Sequence, residues 1–111
     1  MSEHIQVFTT VEHEKDASAI ARAVVERRLA ACAQILGPIT STYWWEGKIE
    51  TSREWLCLMK SRSDAYPALE AAIKSIHPYE NPEIVATNII AGSREYLCWL
   101  DEETAQGLRV K

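Results

Sequence analysis

Apolar and polar positions alternate from His4 to Val11. Ile5, Val7, Thr9 and Val11 fall on one side of an extended chain and Phe8 on the other, which predicts a strand. In the next stretch, EHEKDASAIARAVVERRLAAC, the spacing changes. Ala17, Ile20, Ala21, Val24, Val25 and Leu29 recur at helical intervals. Acidic residues crowd the start of that segment and Arg27 and Arg28 sit near its end, as the helix dipole favours. Ala33 to Trp45 is rich in Ile, Thr, Tyr and Trp and reads as a second strand, bulged or interrupted at Gly37-Pro38. Glu46-Gly47 is a two-residue hairpin turn, and Lys48 to Lys60 returns as the third strand. Ser63 or Asp64 then caps a second helix with Pro67 in its first turn. That helix ends at His77, because Pro78 disfavours helical geometry in the residue before it. Ile84 to Ile90 is a fourth strand. Ser93 caps a short third helix through Leu100, and the tail from Thr104 is expected to fray.

The order βαββαβ plus a helix predicts an α+β, ferredoxin-like (split-βαβ) sheet with a long central hairpin, helices on one face, and one domain spanning residues 1–111. A sheet covered on one side should alternate apolar with polar. Here Trp55, Cys57 and Met59 oppose Leu56 and Leu58, and both sets are apolar. Ile84, Ala86 and Ile90 likewise oppose Val85 and Ile89. The second face also requires burial, which predicts a homo-oligomer.

Composition narrows the classes. The 111 residues are 47% hydrophobic and 25% charged, the balance of a globular chain. The formal net charge is −4 and the basic residues are dispersed, so no nucleic-acid footprint is expected. No apolar run approaches the ~20 residues of a membrane helix, and MSEHIQVFTT does not read as a signal peptide; the expectation is a cytoplasmic protein with no membrane partner. Cys32, Cys57 and Cys98 are an odd number of scattered cysteines with no CxxC pair, which argues against a disulfide framework or a structural zinc finger.

The chemistry-bearing residues concentrate in SIHPYENPEI, residues 75–84. His77 is read either as a helix cap or as a metal ligand or proton carrier. Pro78 and Pro82 would hold it in fixed relation to Tyr79, Glu80 and Glu83. Cys32 is either a buried structural thiol or a soft ligand for Cu(I) or Zn(II). Cys57 and Cys98 read as packing. Tyr43, Trp44 and Trp45 flank the hairpin tip, where burial in a partner subunit or stacking on a ligand is expected. Lys60 is an anion site or a solvated charge. His4 and His13 read as exposed. The sequence has no nucleophile elbow, phosphate loop or zincin motif, so it is not expected to be an enzyme.

RRLAACAQI, TSTYWWEGKIE, LMKSR, IHPYENPEI and YLCWL occur in this order with appropriate gaps. Together they resemble the CutA family of divalent-cation tolerance proteins over roughly residues 5–100. The resemblance implies a homotrimer similar in architecture to PII signalling proteins, with sheets facing inward and the hairpin reaching neighbouring copies. It implies binding of copper or another divalent metal, none of it needed for folding. The family's motif residues fall on Cys32 and His77 as metal ligands. Trp45, Glu46, Lys60, Tyr79 and Glu83 fall on a cleft between subunits. Some members have further cysteines at the positions of Thr9 and Ala72 and a histidine at Ile76. The alternative is a PII-like sensor with an unknown small ligand in that cleft.

Overall fold

The computed structural model describes residues 3–109, with side chains through Thr104. Four strands run β1 His4–Val11, β2 Cys32–Trp45, β3 Lys48–Arg62 and β4 Ile84–Asn88. The helices are α1 Glu14–Glu26, α2 Tyr66–Ile76 and α3 Arg94–Arg109, and a single 3-10 turn, Ser63–Ala65, leads into α2. The sheet order is β2-β3-β1-β4 with every neighbour antiparallel, the arrangement of a ferredoxin-like α+β sheet.

Register explains which side chains enter the core. Ile5, Val7, Thr9 and Val11 pair with Ser61, Met59, Cys57 and Trp55 and share one face with them. Ala17, Ile20 and Val24 of α1 and Leu69, Ala72 and Ile73 of α2 close over that face. The helix α1 ends with Arg28 in the left-handed region (φ 58°). There Leu29 N–H bonds Val24 O and Arg28 N–H bonds Val25 O, the two bonds of a Schellman cap.

The long hairpin matches the sequence reading. The β2–β3 register slips between Leu36 and Ile39, at Gly37-Pro38. Glycine is required at position 37 because a Cβ there would lie 2.6 Å from the Trp55 ring. Glu46 and Gly47 both take positive φ, 50° and 79°, as a type I′ turn demands.

Several expectations change: neither Ser63 nor Asp64 caps α2, because both lie in the 3-10 turn before it, and β4 ends at Asn88 rather than Ile90. Helices do not cover one face only. His4 and Arg62, paired on the face opposite the core, both reach Asp101 of α3, and Cys32 on that face meets Tyr96 of α3. Nor is α3 short or frayed from Thr104: it continues to Arg109, and Thr104 is fully buried with its hydroxyl donating to Leu100 O at 2.8 Å. His4 is not exposed, because its ring is drawn to Asp101 at 2.9 Å. The apolar stripe Tyr96–Leu100 signalled where α3 begins. The polar sequence after it hid how far the helix extends.

Candidate functional site

Pro78 stops α2 as expected, and His77 turns extended (φ −71°, ψ 134°) with its N–H still bonded to Ile73 O at 2.9 Å. That turn swings the imidazole back onto β1. Nε2 lies 3.0 Å from the Thr10 carbonyl oxygen and 3.0 Å from Thr9 Oγ1. On the other side of the ring, Tyr79 N–H points at Nδ1 from 3.1 Å. A carbonyl can only accept and an amide N–H can only donate, so the proton is on Nε2 and Nδ1 is bare. The ring is neutral in this arrangement. Burial lowers the His77 pKa from its ordinary value. The Thr10 carbonyl, Asp16 and Glu54 act in the opposite direction.

Tyr79 continues the network. Its ring lies tilted against His77 with centroids 4.9 Å apart, and its hydroxyl donates to Glu54 Oε2 at 2.7 Å. Burial, followed by the bond to Glu54 and the nearby charges of Glu54 and Glu12, raises the phenol pKa. Glu54 is 8% exposed although charged. The β1–β3 pairing ends at Val11 and Trp55, so Glu54 is the next β3 residue, where the loop crosses the end of the sheet. Residues 77–79 are therefore tied to both central strands, while Glu80 and Glu83 remain exposed.

Cys32 stands elsewhere. It pairs with Lys60, on the face opposite the core, and its Sγ lies 3.5 Å from the Tyr96 hydroxyl. The bond with Cys32, then burial, pushes the Tyr96 phenol up to about 12. His77 meets Thr9, which pairs with Cys57 on the core face. Lys60 and Cys57 are three residues apart on β3, about 10 Å at strand spacing. Within one chain the sheet thus separates the two expected metal ligands, and they form no shared site. Both His77 nitrogens are engaged inside the chain, so metal coordination there would first require this network to open. Cys57 is fully buried, and burial pushes its thiol up to about 11, consistent with packing. Cys98 is exposed rather than packed.

The expected cleft residues are also spread out. Trp45 pairs with Lys48 next to the turn, with Glu46 at the tip, and Trp45 is 56% exposed. Lys48 to Lys60 is about 40 Å of strand, with Glu54, and hence Tyr79, at its midpoint. Lys60 Nζ donates to Gln34 Oε1 at 2.9 Å. Among the described residues no group of three or more His, Cys, Asp or Glu side chains is placed to hold a metal ion. Sequence reasoning missed Thr9, Thr10, Glu54 and Tyr96. Only Glu54 gave a signal, as a carboxylate directly before the apolar run WLCLM.

Residues 5–103 match the family described as CutA1 divalent ion tolerance protein. The chain belongs to this family. A CutA1 relative, the divalent-cation tolerance protein CutA of Thermus thermophilus, is 48% identical over 98 residues, covering 88% of this chain and 95% of its own. The mouse Protein CutA is 46% identical over 97 residues, which cover 87% of this chain but only 55% of the mouse protein, so the chain spans about half of that relative. In structure, CutA from Xylella fastidiosa superposes with a TM-score of 0.90 at 37% identity, over 93% of this chain and 99% of that one. The CutA1 family is named for divalent-ion tolerance, not for an enzymatic activity.

Proposed function

We propose that this chain is a cytoplasmic divalent-cation tolerance protein working as a homotrimer, which takes up copper or another divalent metal at the boundaries between copies. The observation that carries this reading is the dispersal of Trp45, Glu46, Lys60, Tyr79 and Glu83 along about 40 Å of one chain. In this reading a neighbouring copy brings its hairpin tip near the loop. The apolar residues Leu36 and Val85 are 49% and 44% exposed, and the hairpin residues Trp44 and Ile49 are 73% and 63% exposed. These give that copy a surface to cover. Membership of a divalent-ion tolerance family supports the metal. Three unpaired thiols suit a reducing compartment.

We assign coordination to carboxylates at the boundary, foremost Glu83, with Cys32 contributing under reducing conditions, where a thiolate prefers Cu(I). Sedimentation velocity combined with calorimetric titration of Cu(II) and Zn(II) tests the reading. A trimer is expected, with Glu83→Ala weakening uptake more than Glu80→Ala. A stable monomer that binds these ions as tightly as any assembly would overturn it. The alternative, a PII-like sensor, is favoured by the exposed Trp45 and the cationic Lys60, which suit an organic anion. Thermal stabilisation by nucleotides but not by metals would select it.

A further inference from the structure

We propose that the face of the sheet opposite the core carries an anion site, in which Lys60, Gln34 and the Cys32–Tyr96 pair hold a small oxyanion of the phosphate class. That another copy covers this face rests on the reading above; the grouping of the donors does not.

One charge on this face has nothing to match it. Among the described residues, Lys60 is the only half-buried lysine or arginine without a carboxylate at ion-pair distance. Arg62, two residues along the same row of β3, is met by Asp64 and Asp101, and the half-buried Arg28 is met by Glu103. The other cations without such a partner, Lys15, Arg27, Lys48, Arg53 and Arg94, are all exposed to water. Lys60 bonds instead to a neutral group, Gln34 Oε1, at 2.9 Å.

Strand register places this ammonium beside apolar neighbours. Lys60 pairs with Cys32 on one side and with Gln6 on the other, and Gln6 pairs with Thr87, so the four form one polar row across the outer face. The adjoining row is Gln34, Leu58, Phe8 and Val85. A copy laid over those apolar side chains would strip more water from Lys60. An unmatched charge there is strongly unfavourable until an anion joins it.

Donors already gather at that point. Gln34 accepts through Oε1, which leaves its amide protons free to donate. Cys32 Sγ lies 3.5 Å from the Tyr96 hydroxyl, and that contact uses one of the pair's two protons. Whichever atom donates, the other proton remains for a further acceptor. These donors arrive from β2, β3 and α3, which suits a phosphate-class ion with oxygens pointing in four directions. Lysine serves such an ion as a point charge.

The test uses the full chain, reduced and metal-free, near neutral pH in Tris chloride, with sodium chloride holding the ionic strength constant. Inorganic phosphate is the probe, followed by calorimetric titration, thermal midpoint and sedimentation velocity. Phosphate is expected to bind saturably and raise the midpoint, as a ligand of the folded state does. Lys60→Met should weaken that binding at least about tenfold, the loss of one charge-assisted contact. Without phosphate the same variant should melt above the unaltered chain, because the unmatched charge is gone. Gln34→Leu keeps the charge and removes its partner, so it should weaken phosphate and lower the midpoint. If Lys60→Met does not fold, the phosphate titration of Gln34→Leu decides alone. Absence of saturable binding, or binding that both variants retain, would overturn the site; the latter means an adventitious ion only. A lower midpoint in Lys60→Met with phosphate inert would overturn it as well, and would give Lys60 to a carboxylate of the neighbouring copy. Phosphate bound through Lys60 by a monomer keeps the site and removes the assembly, whereas an assembly indifferent to phosphate does the reverse.

Discussion

Tyr79→Phe deletes one hydroxyl and leaves the Glu54 carboxylate, nearly buried, without its donor. Stranding a buried polar partner costs about 1–3 kcal/mol, more when it is charged, so this change should lower the urea midpoint clearly. Glu54→Gln keeps an acceptor oxygen for the phenol and removes the charge, so its loss should be smaller. The reverse order in urea melts would show that the charge, not the hydrogen bond, matters at this position. His77 adds a pH dependence of known sign. Its pKa is lower folded than unfolded, so the unfolded chain takes up the proton first. Its contribution is complete above the unfolded value of about 6.5 and shrinks as pH falls below it. Urea midpoints of the unaltered chain and His77→Asn should therefore diverge at pH 8 and converge towards pH 5. Only the two middle members of this network, His77 and Tyr79, were legible beforehand. The proline after His77 and the stiffness of the loop are local signals. The contacts with Thr9, Thr10 and Glu54 join residues 25 to 68 positions apart, and no spacing rule reports them.

At the scale of elements, α3 is held by two kinds of contact whose weights differ. Arg28 meets Glu103 at 2.7 Å, and Asp101 accepts from both His4 and Arg62. These pairs are partly exposed, and such pairs contribute roughly 0–1 kcal/mol. Leu100 is fully buried, and truncating a buried leucine costs about 2–5 kcal/mol. Leu100→Ala should therefore free α3 for limited proteolysis, whereas Asp101→Asn should do so weakly, with an effect that shrinks at high salt because the pairs it removes are then already screened. Equal sensitivity of the two variants would mean that the ionic contacts carry the docking. The elements themselves were largely readable. Alternation located β1 and periodicity located α1 and α2. Gly37-Pro38 marked the slip in the hairpin. The failures share a cause: α3 shows its apolar stripe only in its first turns, and its later residues are fixed by contacts to β1, β3 and the end of α1.

For the whole molecule, the two-faced apolar strands are now resolved into an inner and an outer row. Trp55 lies against the core and against Gly37, whereas Leu56 belongs to the opposite row with Thr10 and Leu36. Trp55→Asp should unfold the chain, and Leu56→Asp should leave it folded but dissociated, because an unpaired charge is costly only where burial persists. Circular dichroism with sedimentation velocity separates the two outcomes; a folded assembly in both variants would contradict the proposed interface. The hairpin has a further consequence, in time rather than in space. Its pairing grows outward from Trp45 and Lys48, residues only three apart, so each new pair closes a short loop. Hairpins of this kind form in about 1–10 μs, well before strands remote in sequence such as β1 and β4 can find each other. This order predicts that the arm forms first and the rest of the chain condenses on it. Gly47→Ala, which strains the left-handed turn residue, should slow folding in stopped-flow traces and leave the unfolding rate nearly unchanged. Faster unfolding with unaltered folding would place the turn among the last parts to form.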